Sequence, residues 1–316
     1  MVKKIALEEH FLDPGLVEYW RPTMVDVAPP KTAQLFDCLT DFGERRLQTM
    51  DKAGIARAVL SIAGPGVQVE RDAATAVRKA RASNDFLAGE VQKRPNRYSG
   101  FAHLAMQDPK AAADELERCV RDLKFCGAMI NGHTNGQYLD DRSYDPFWER
   151  AAELGAPIYL HPVDPVAPLS AIAGYNVLAR PMWGWGVETG SHALRIICSG
   201  VFHRYPKAKL LLGHLGETLP FQLWRFDSRS KPYGWNLPKP PSQYLKENVW
   251  VTMSGMYDAP PVRCSLDALG RDHVMFSSDY PFDSEGAGPF MDTVALDDGL
   301  RADIAYNNAA RLLDLE

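Results

Sequence analysis

Acids and imidazoles recur in this chain where short apolar runs give out. Residues 3–10 read K-K-I-A-L-E-E-H, an apolar run closed by two acids and a histidine. If residues 5–7 are a buried strand, side-chain alternation puts Glu8 and His10 on one face and Glu9 on the other. A carboxylate and an imidazole two residues apart suit a divalent ion such as Zn2+ or Mn2+, and an apolar core has no use for both without a partner. Leu160-His161-Pro162 places a second imidazole at the end of an apolar run, and S-S-D-Y-P-F at 277–282 closes another with Asp279. Singly, each has an ordinary explanation: a solvated strand end, a core histidine bonded to backbone, an N-capping aspartate. Together, Glu8, His10, His161 and Asp279 form a mixed nitrogen and oxygen set that one ion could accept with room for a substrate.

G-H-L-G-E at 213–217 follows a sixth apolar run, so His214 can face the same site while Glu217 orients its imidazole. Glu217 would also favour a helix N-terminus electrostatically. With 217–228 read as one helix, Arg225 lies two turns and about 12 Å past Glu217, away from its own site and placed for a neighbouring subunit's acidic substrate. Trp224 and Phe226 beside it are the kind of aromatic anchors that interfaces favour. Nucleophilic catalysis finds no support, because there is no G-x-S-x-G and no cysteine adjoins a strand-end histidine.

The elements that must position these groups follow from periodicity. Eight apolar runs, at 5–7, 58–62, 98–104, 127–130, 157–160, 209–212, 249–252 and 274–276, alternate with helical stretches at 44–53, 71–93, 109–123, 145–154, 187–205, 217–228, 259–269 and 301–313. Eight strands alternating with eight helices predict an α/β fold, a single (β/α)8 TIM barrel over residues 1–316. Such barrels build their sites at the C-terminal strand ends, where five or six of the eight histidines fall. His103, Asn131, His133 and Ser254 join the candidates there. Two insertions, about 12–41 and 163–186, are long and aromatic enough to cover the mouth, whereas proline-rich 231–241 reads as a surface excursion.

Composition narrows the partners. A net charge of -5 and a pI near 5.9 give no general attraction to nucleic acid or anionic membrane. With no run of about 18 apolar residues and no signal-type leader, the expectation is a soluble, cytoplasmic protein. Five scattered cysteines without C-x-x-C read as reduced thiols.

L-E-E-H-F at 7–11, I-N-G-H at 130–133, Y-L-H-P at 159–162, V-E-T-G-S-H-A-L-R at 187–195, G-H-L-G-E and S-S-D-Y-P-F resemble, in order, the aromatic acid decarboxylases of the amidohydrolase superfamily. That resemblance implies one divalent metal per subunit (Zn2+ or Mn2+) on Glu8, His10, His161 and Asp279, and no organic cofactor. It further implies His214 and Glu217 as the catalytic pair, Asn131 and Phe282 in the substrate pocket, and Arg225 reaching a neighbour's substrate in a homodimer or homotetramer. His10 agrees with the γ-resorcylate pattern, while N-G-H-T-N-G-Q-Y-L-D and W-G-V-E-T-G look more like the 5-carboxyvanillate type, so both kinds of ring substitution stay open. The expected reaction is non-oxidative decarboxylation of a hydroxylated benzoic acid, with Asp279 as general acid. The rival is metal-dependent hydrolysis of a lactone or amide on the same barrel, disfavoured because the fourth run ends in Asn131 rather than a bridging lysine. A metal-binding scaffold without turnover is the third reading.

Overall fold

The computed structural model describes residues 1–315. Its strands are β1 (Lys4–Phe11), β2 (Ile55–Ile62), β3 (Tyr98–Gly100), β4 (Ala102–His103), β5 (Ala128–Asn131), β6 (Ile158–His161), β7 (Leu210–Leu212), β8 (Val249–Thr252) and β9 (Val274–Met275). Every ladder is parallel, in the orders β1-β2-β3 and β4-β5-β6-β7-β8-β9. The two ladders meet at Phe101, whose N–H donates to Leu60 at 2.9 Å, so β3 and β4 are one strand that changes partner. At the other seam His10 donates its N–H to the Tyr280 carbonyl at 2.8 Å, and Glu9 bridges Tyr280 in parallel register. The architecture is therefore the expected α/β barrel of eight parallel strands and surrounding helices.

Alternation along these strands divides the core. Ile5, Leu7, Val59, Phe101, Met129, Tyr159, Leu211 and Met275 pack together as the interior layer, while Ala6, Leu60, Ile130, Leu160 and Leu212 belong to the larger cluster shared with the helices. Strict alternation from Ile5 and Leu7 would send Glu8 and His10 outward. It does not, because the register of β1 slips between Ala6 and Glu9, three residues of β1 spanning two of β2. This β-bulge inverts the phase, so Leu7 and Glu8 both face inward and His10 follows.

Three helices end where expected, Glu44–Ala53, Asp145–Leu154 and Ala259–Leu269. The first two stop at Gly54 and Gly155 with positive φ, the usual left-handed termination. Three expectations need correction. The 187–205 helix starts earlier and divides into Gly184–Cys198 and Val201–Arg204 around Gly200. The last helix is interrupted by a π turn over Asp303–Asn307, and a further helix outside the expected eight, Ser284–Thr293, carries an internal proline.

The third correction concerns 217–228, which is not one helix. His214, Leu215, Gly216, Glu217 and Thr218 all have positive φ, a five-residue left-handed turn, followed by a 3-10 turn Leu219–Gln222 and a separate helix Leu223–Ser230. The two-turn spacing from Glu217 to Arg225 therefore does not hold. Non-glycine residues in this region cost roughly 1–2 kcal/mol each, and L-residues adopt it in succession only where the surroundings enforce it.

Both mouth insertions contain structure. Within 12–41 lie the helices Val17–Trp20 and Pro29–Thr40, and Trp20 and Leu35 are buried. Arg180, in the second insertion, donates to the Thr23 carbonyl at 2.9 Å and so ties the two together. No helix among the described residues is long and apolar enough to cross a membrane.

Candidate metal centre and active site

Glu8, His10 and His161 converge above the interior layer, with one potential donor atom from each lying within 4.8 Å of the others. Glu8 Oε1 is 3.5 Å from His161 Nε2, and the two imidazoles meet edge to face at 4.8 Å between centroids. Asp279 stands beside this trio, its Oδ1 3.3 Å from His10 Nε2. The expected four therefore gather, three tightly and Asp279 at the margin.

What fits a metal here is the pattern of unpartnered atoms. Glu8 Oε1 and His10 Nε2 are buried and without a hydrogen-bond partner, a costly state unless something else binds them. Glu8 Oε2, by contrast, accepts from Tyr159 Oη at 2.6 Å and from Ser254 Oγ. The carboxylate thus turns one oxygen to the protein and the other to the site. His161 Nδ1 donates to the Pro162 carbonyl at 2.8 Å, which leaves the Nε2 lone pair toward Glu8. Burial pulls both His10 and His161 down to about 4, so they are neutral donors at physiological pH. Burial opposes the charge on Glu8, yet His214, His161 and His10 with the Ser254 hydroxyl outweigh it and keep the carboxyl below its ordinary value. Neutral imidazoles with an ionised carboxylate are what a divalent ion needs.

Asp279 behaves differently. Burial and the nearby Glu8 charge push it up to about 8, although 17% of its side chain opens on the cavity. A bound cation would lower that value, so the group is poised between acid and ligand. His214 Nδ1 lies 2.7 Å from Glu217 Oε1; burial works against the imidazolium, but Glu217 and Glu8 raise it to about 10. The left-handed turn makes this pairing possible by bringing residues 214 and 217 together at the rim. Its entry, Gly213, must lack a side chain, because a Cβ there would sit 2.9 Å from Glu8 Oε2.

A cavity of about 280 Å³ is lined by His10, His161, His214, Asp279 and Phe282, with the two insertions as its roof. Phe282 packs 5.7 Å from the His10 ring. Asn131 is fully buried beside Gly64, a cavity residue, and both its amide atoms are unpartnered. A second cavity of about 840 Å³ shares His214 and Asp279 and runs toward Phe221 and Trp183. Arg225 is exposed and lines neither.

Not every strand-end histidine belongs. His103 accepts the Val67 N–H at 2.9 Å and is structural, as is His192, inside the helix Gly184–Cys198, which accepts that of Leu139 at 2.8 Å; burial holds each near 3. His133 is used by the loop, accepting from Gly136 N and lying 3.2 Å from the Asp164 carbonyl. Five histidines do stand at or just past strand ends, His10, His103, His133, His161 and His214, and of these His10, His161 and His214 reach the site among the described residues. The sequence marked Ser254 only as a strand-end candidate and gave no role to Tyr159 or Arg46. Tyr159 was detectable, since it precedes His161 by two and must share its inward face. Arg46 carried no signal: it is buried, stacks on Tyr280 at 4.3 Å, and donates to the His10 carbonyl at 2.7 Å.

A family model described as Amidohydrolase matches residues 40–315. The chain belongs to the amidohydrolase family. Among curated family members, a gamma-resorcylate decarboxylase of Polaromonas sp. strain JS666 is 39% identical, covering 99% of this chain and 98% of its own. The crystal structure of a dihydroxybenzoic acid decarboxylase from the same organism, with bound manganese and 2-nitroresorcinol, superposes with a TM-score of 0.90 at 38% identity, covering 100% and 98% of the two chains. A 5-carboxyvanillate decarboxylase from Novosphingobium aromaticivorans, with bound manganese and a hydroxynitrobenzoic acid, gives a TM-score of 0.94 at 33% identity over 99% and 97%. This amidohydrolase-family chain is thus similar to both types over nearly its whole length.

Proposed function

We propose that this protein is a metal-dependent carboxy-lyase that releases CO2 from a hydroxylated benzoic acid of the dihydroxybenzoate or carboxyvanillate type. The observation that carries the reading is one cavity bordered by a donor set for a divalent ion, Glu8 with His10 and His161, and, at its margin, by a carboxyl with raised proton affinity. The family members described above act on such acids, and the two solved structures contain manganese.

Glu8, His10 and His161 would hold the ion, with Asp279 completing the set. When bound, a Mn2+ or Zn2+ ion there supplies Lewis acidity and a template for the substrate's carboxylate and ortho oxygen. The remaining work falls to the chain. Asp279 delivers its proton to the ring carbon bearing the carboxylate, while the electron pair of the ortho phenolate oxygen feeds the ring, leaving a dienone with that carbon saturated. The C–C bond then breaks, CO2 departs, and the bond's electrons restore the aromatic ring and the phenolate. The substrate binds as its phenolate; the His214 imidazolium, held by Glu217, stabilises that oxygen and gives it a proton once CO2 has left, and Asp279 and His214 then regain their protons from solvent. Asn131 offers an amide to the bound carboxylate or phenol, and Phe282 packs on the ring. Arg225, exposed on its own subunit, would reach the substrate carboxylate of a neighbour in a homodimer or homotetramer.

The test is Asp279→Asn, which keeps the side-chain shape without a carboxylic proton. On protein of verified metal content, kcat for CO2 release should fall about 10²-fold or more. A metal-replete variant with near-normal kcat would remove Asp279 from the acid role.

A further inference from the structure

The two sides of the 280 Å³ cavity differ in chemistry. Its floor, made by strand ends, is polar: His10, His161, His214 and Asp279 line it, His10 Nε2 lacks a partner, and just behind it lie the unpartnered Glu8 Oε1 and, beneath Gly64, both amide atoms of Asn131. Its roof, contributed by the insertions and the loop after the last strand, is Trp20, Met24, Val27, Leu35, Trp185 and Phe282. Polar groups on that side are already engaged within the protein. Thr23 Oγ1 donates to the Trp20 carbonyl at 2.7 Å, and the Thr23 carbonyl accepts from Arg180 at 2.9 Å. The same guanidinium pairs with Asp164 at 3.2 Å, and Trp185 Nε1 donates to Asp164 at 2.6 Å.

A ring seated with its carboxylate and ortho oxygen toward the floor turns its C4–C5 edge toward this roof. A hydroxyl on that edge would give up its hydration for apolar surroundings, and a second carboxylate would do so at far greater cost. A methyl group would gain by the same transfer. We propose that the substrate is a 2-hydroxybenzoate bearing a small alkyl substituent at C4 or C5, and that the roof formed by Trp20, Met24, Val27 and Leu35 is its subsite. The assignment rests on the decarboxylase reading above and narrows it: it leaves C6 open to the second hydroxyl of the dihydroxybenzoate type and sets aside the distal carboxyl of the carboxyvanillate type.

Turnover alone would confuse recognition with the electronic effect of the substituent, so the test is affinity. The probes are 2-nitrophenols, which present two neighbouring oxygens and have no CO2 to lose, in pairs bearing methyl or hydroxyl at C4 or at C5. Titration calorimetry on the metal-loaded, full-length protein, at a pH where the phenol beside the nitro group is ionised in every probe and the distal hydroxyl is not, should show the methyl member of at least one pair binding about tenfold tighter or more. Equal or tighter binding of the hydroxyl member at both positions overturns the assignment. A parallel assay of CO2 release from the matching 2-hydroxybenzoates keeps the two layers apart. Hydroxyl preference with turnover overturns only the alkyl subsite, whereas no binding and no turnover across the series brings down the decarboxylase reading and the subsite with it.

Discussion

Tyr159→Phe isolates the hydrogen bond that orients Glu8. The phenol oxygen lies 2.6 Å from Glu8 Oε2 and 2.6 Å from Thr252 Oγ1, with both side chains buried. Phenylalanine preserves the ring packing against Phe101 and removes the donor alone. A hydrogen bond to a charged group contributes about 1.5–3 kcal/mol, which at 1.36 kcal/mol per decade is roughly a 10- to 150-fold change. Two effects act in the same direction. The freed carboxylate rotates away from presenting Oε1 alone, and with one donor fewer its pKa rises from its depressed value, so a proton competes better with the ion. Metal affinity should therefore fall about 10- to 100-fold, and the loss should deepen as pH falls toward the raised pKa. The assay is calorimetric titration of the metal-free variant with Mn2+ at several pH values, with circular dichroism as the control for folding. An affinity equal to that of the parent at every pH would refute the claim that Tyr159 positions Glu8.

Chelation should abolish CO2 release while leaving the thermal transition cooperative, because the barrel core is independent of one ion; full activity in protein shown metal-free by elemental analysis contradicts this. Arg46→Met removes hydrogen bonds to the carbonyls of His10, Asp41 and Cys38, at a cost of about 3 kcal/mol, or a Tm lower by roughly 5–10 °C. An unchanged Tm would show that these carbonyls find other partners. Mixing inactive Arg225→Ala chains with inactive Asp279→Asn chains should restore part of the activity, since a hybrid pair contains one site with both residues intact. Recovery of nothing from chains shown to exchange would confine Arg225 to its own subunit.

The barrel was legible because its signal is distributed. Eight apolar runs at strand length, separated by helical periodicity, are redundant enough that a split strand at Phe101 and a broken last helix do not change the count. The site was legible in part for the same reason: inward residues two apart, such as Tyr159 with His161 or Thr252 with Ser254, follow from strand alternation whatever surrounds them. Histidine placement was less reliable, because a buried imidazole accepting a backbone N–H, as His103 does, looks in sequence like a ligand.

By itself, the sequence determined that Glu8 and His10 share a face, that His161 and Asp279 close other strands, and that His214 and Glu217 are near in the chain. Only the tertiary structure decided that the shared face points inward, since Ile5 and Leu7 belong to the interior layer and it takes the bulge in β1 to bring Glu8 in after them. A bulge depends on how two strands pair, and no local pattern encodes the register of a partner about 50 residues away. The left-handed turn at 214–218 is the same kind of decision. His214, Leu215, Glu217 and Thr218 each disfavour it locally, and contacts formed late in the chain, such as Ser265 donating to the Leu215 carbonyl at 3.1 Å, help to hold it.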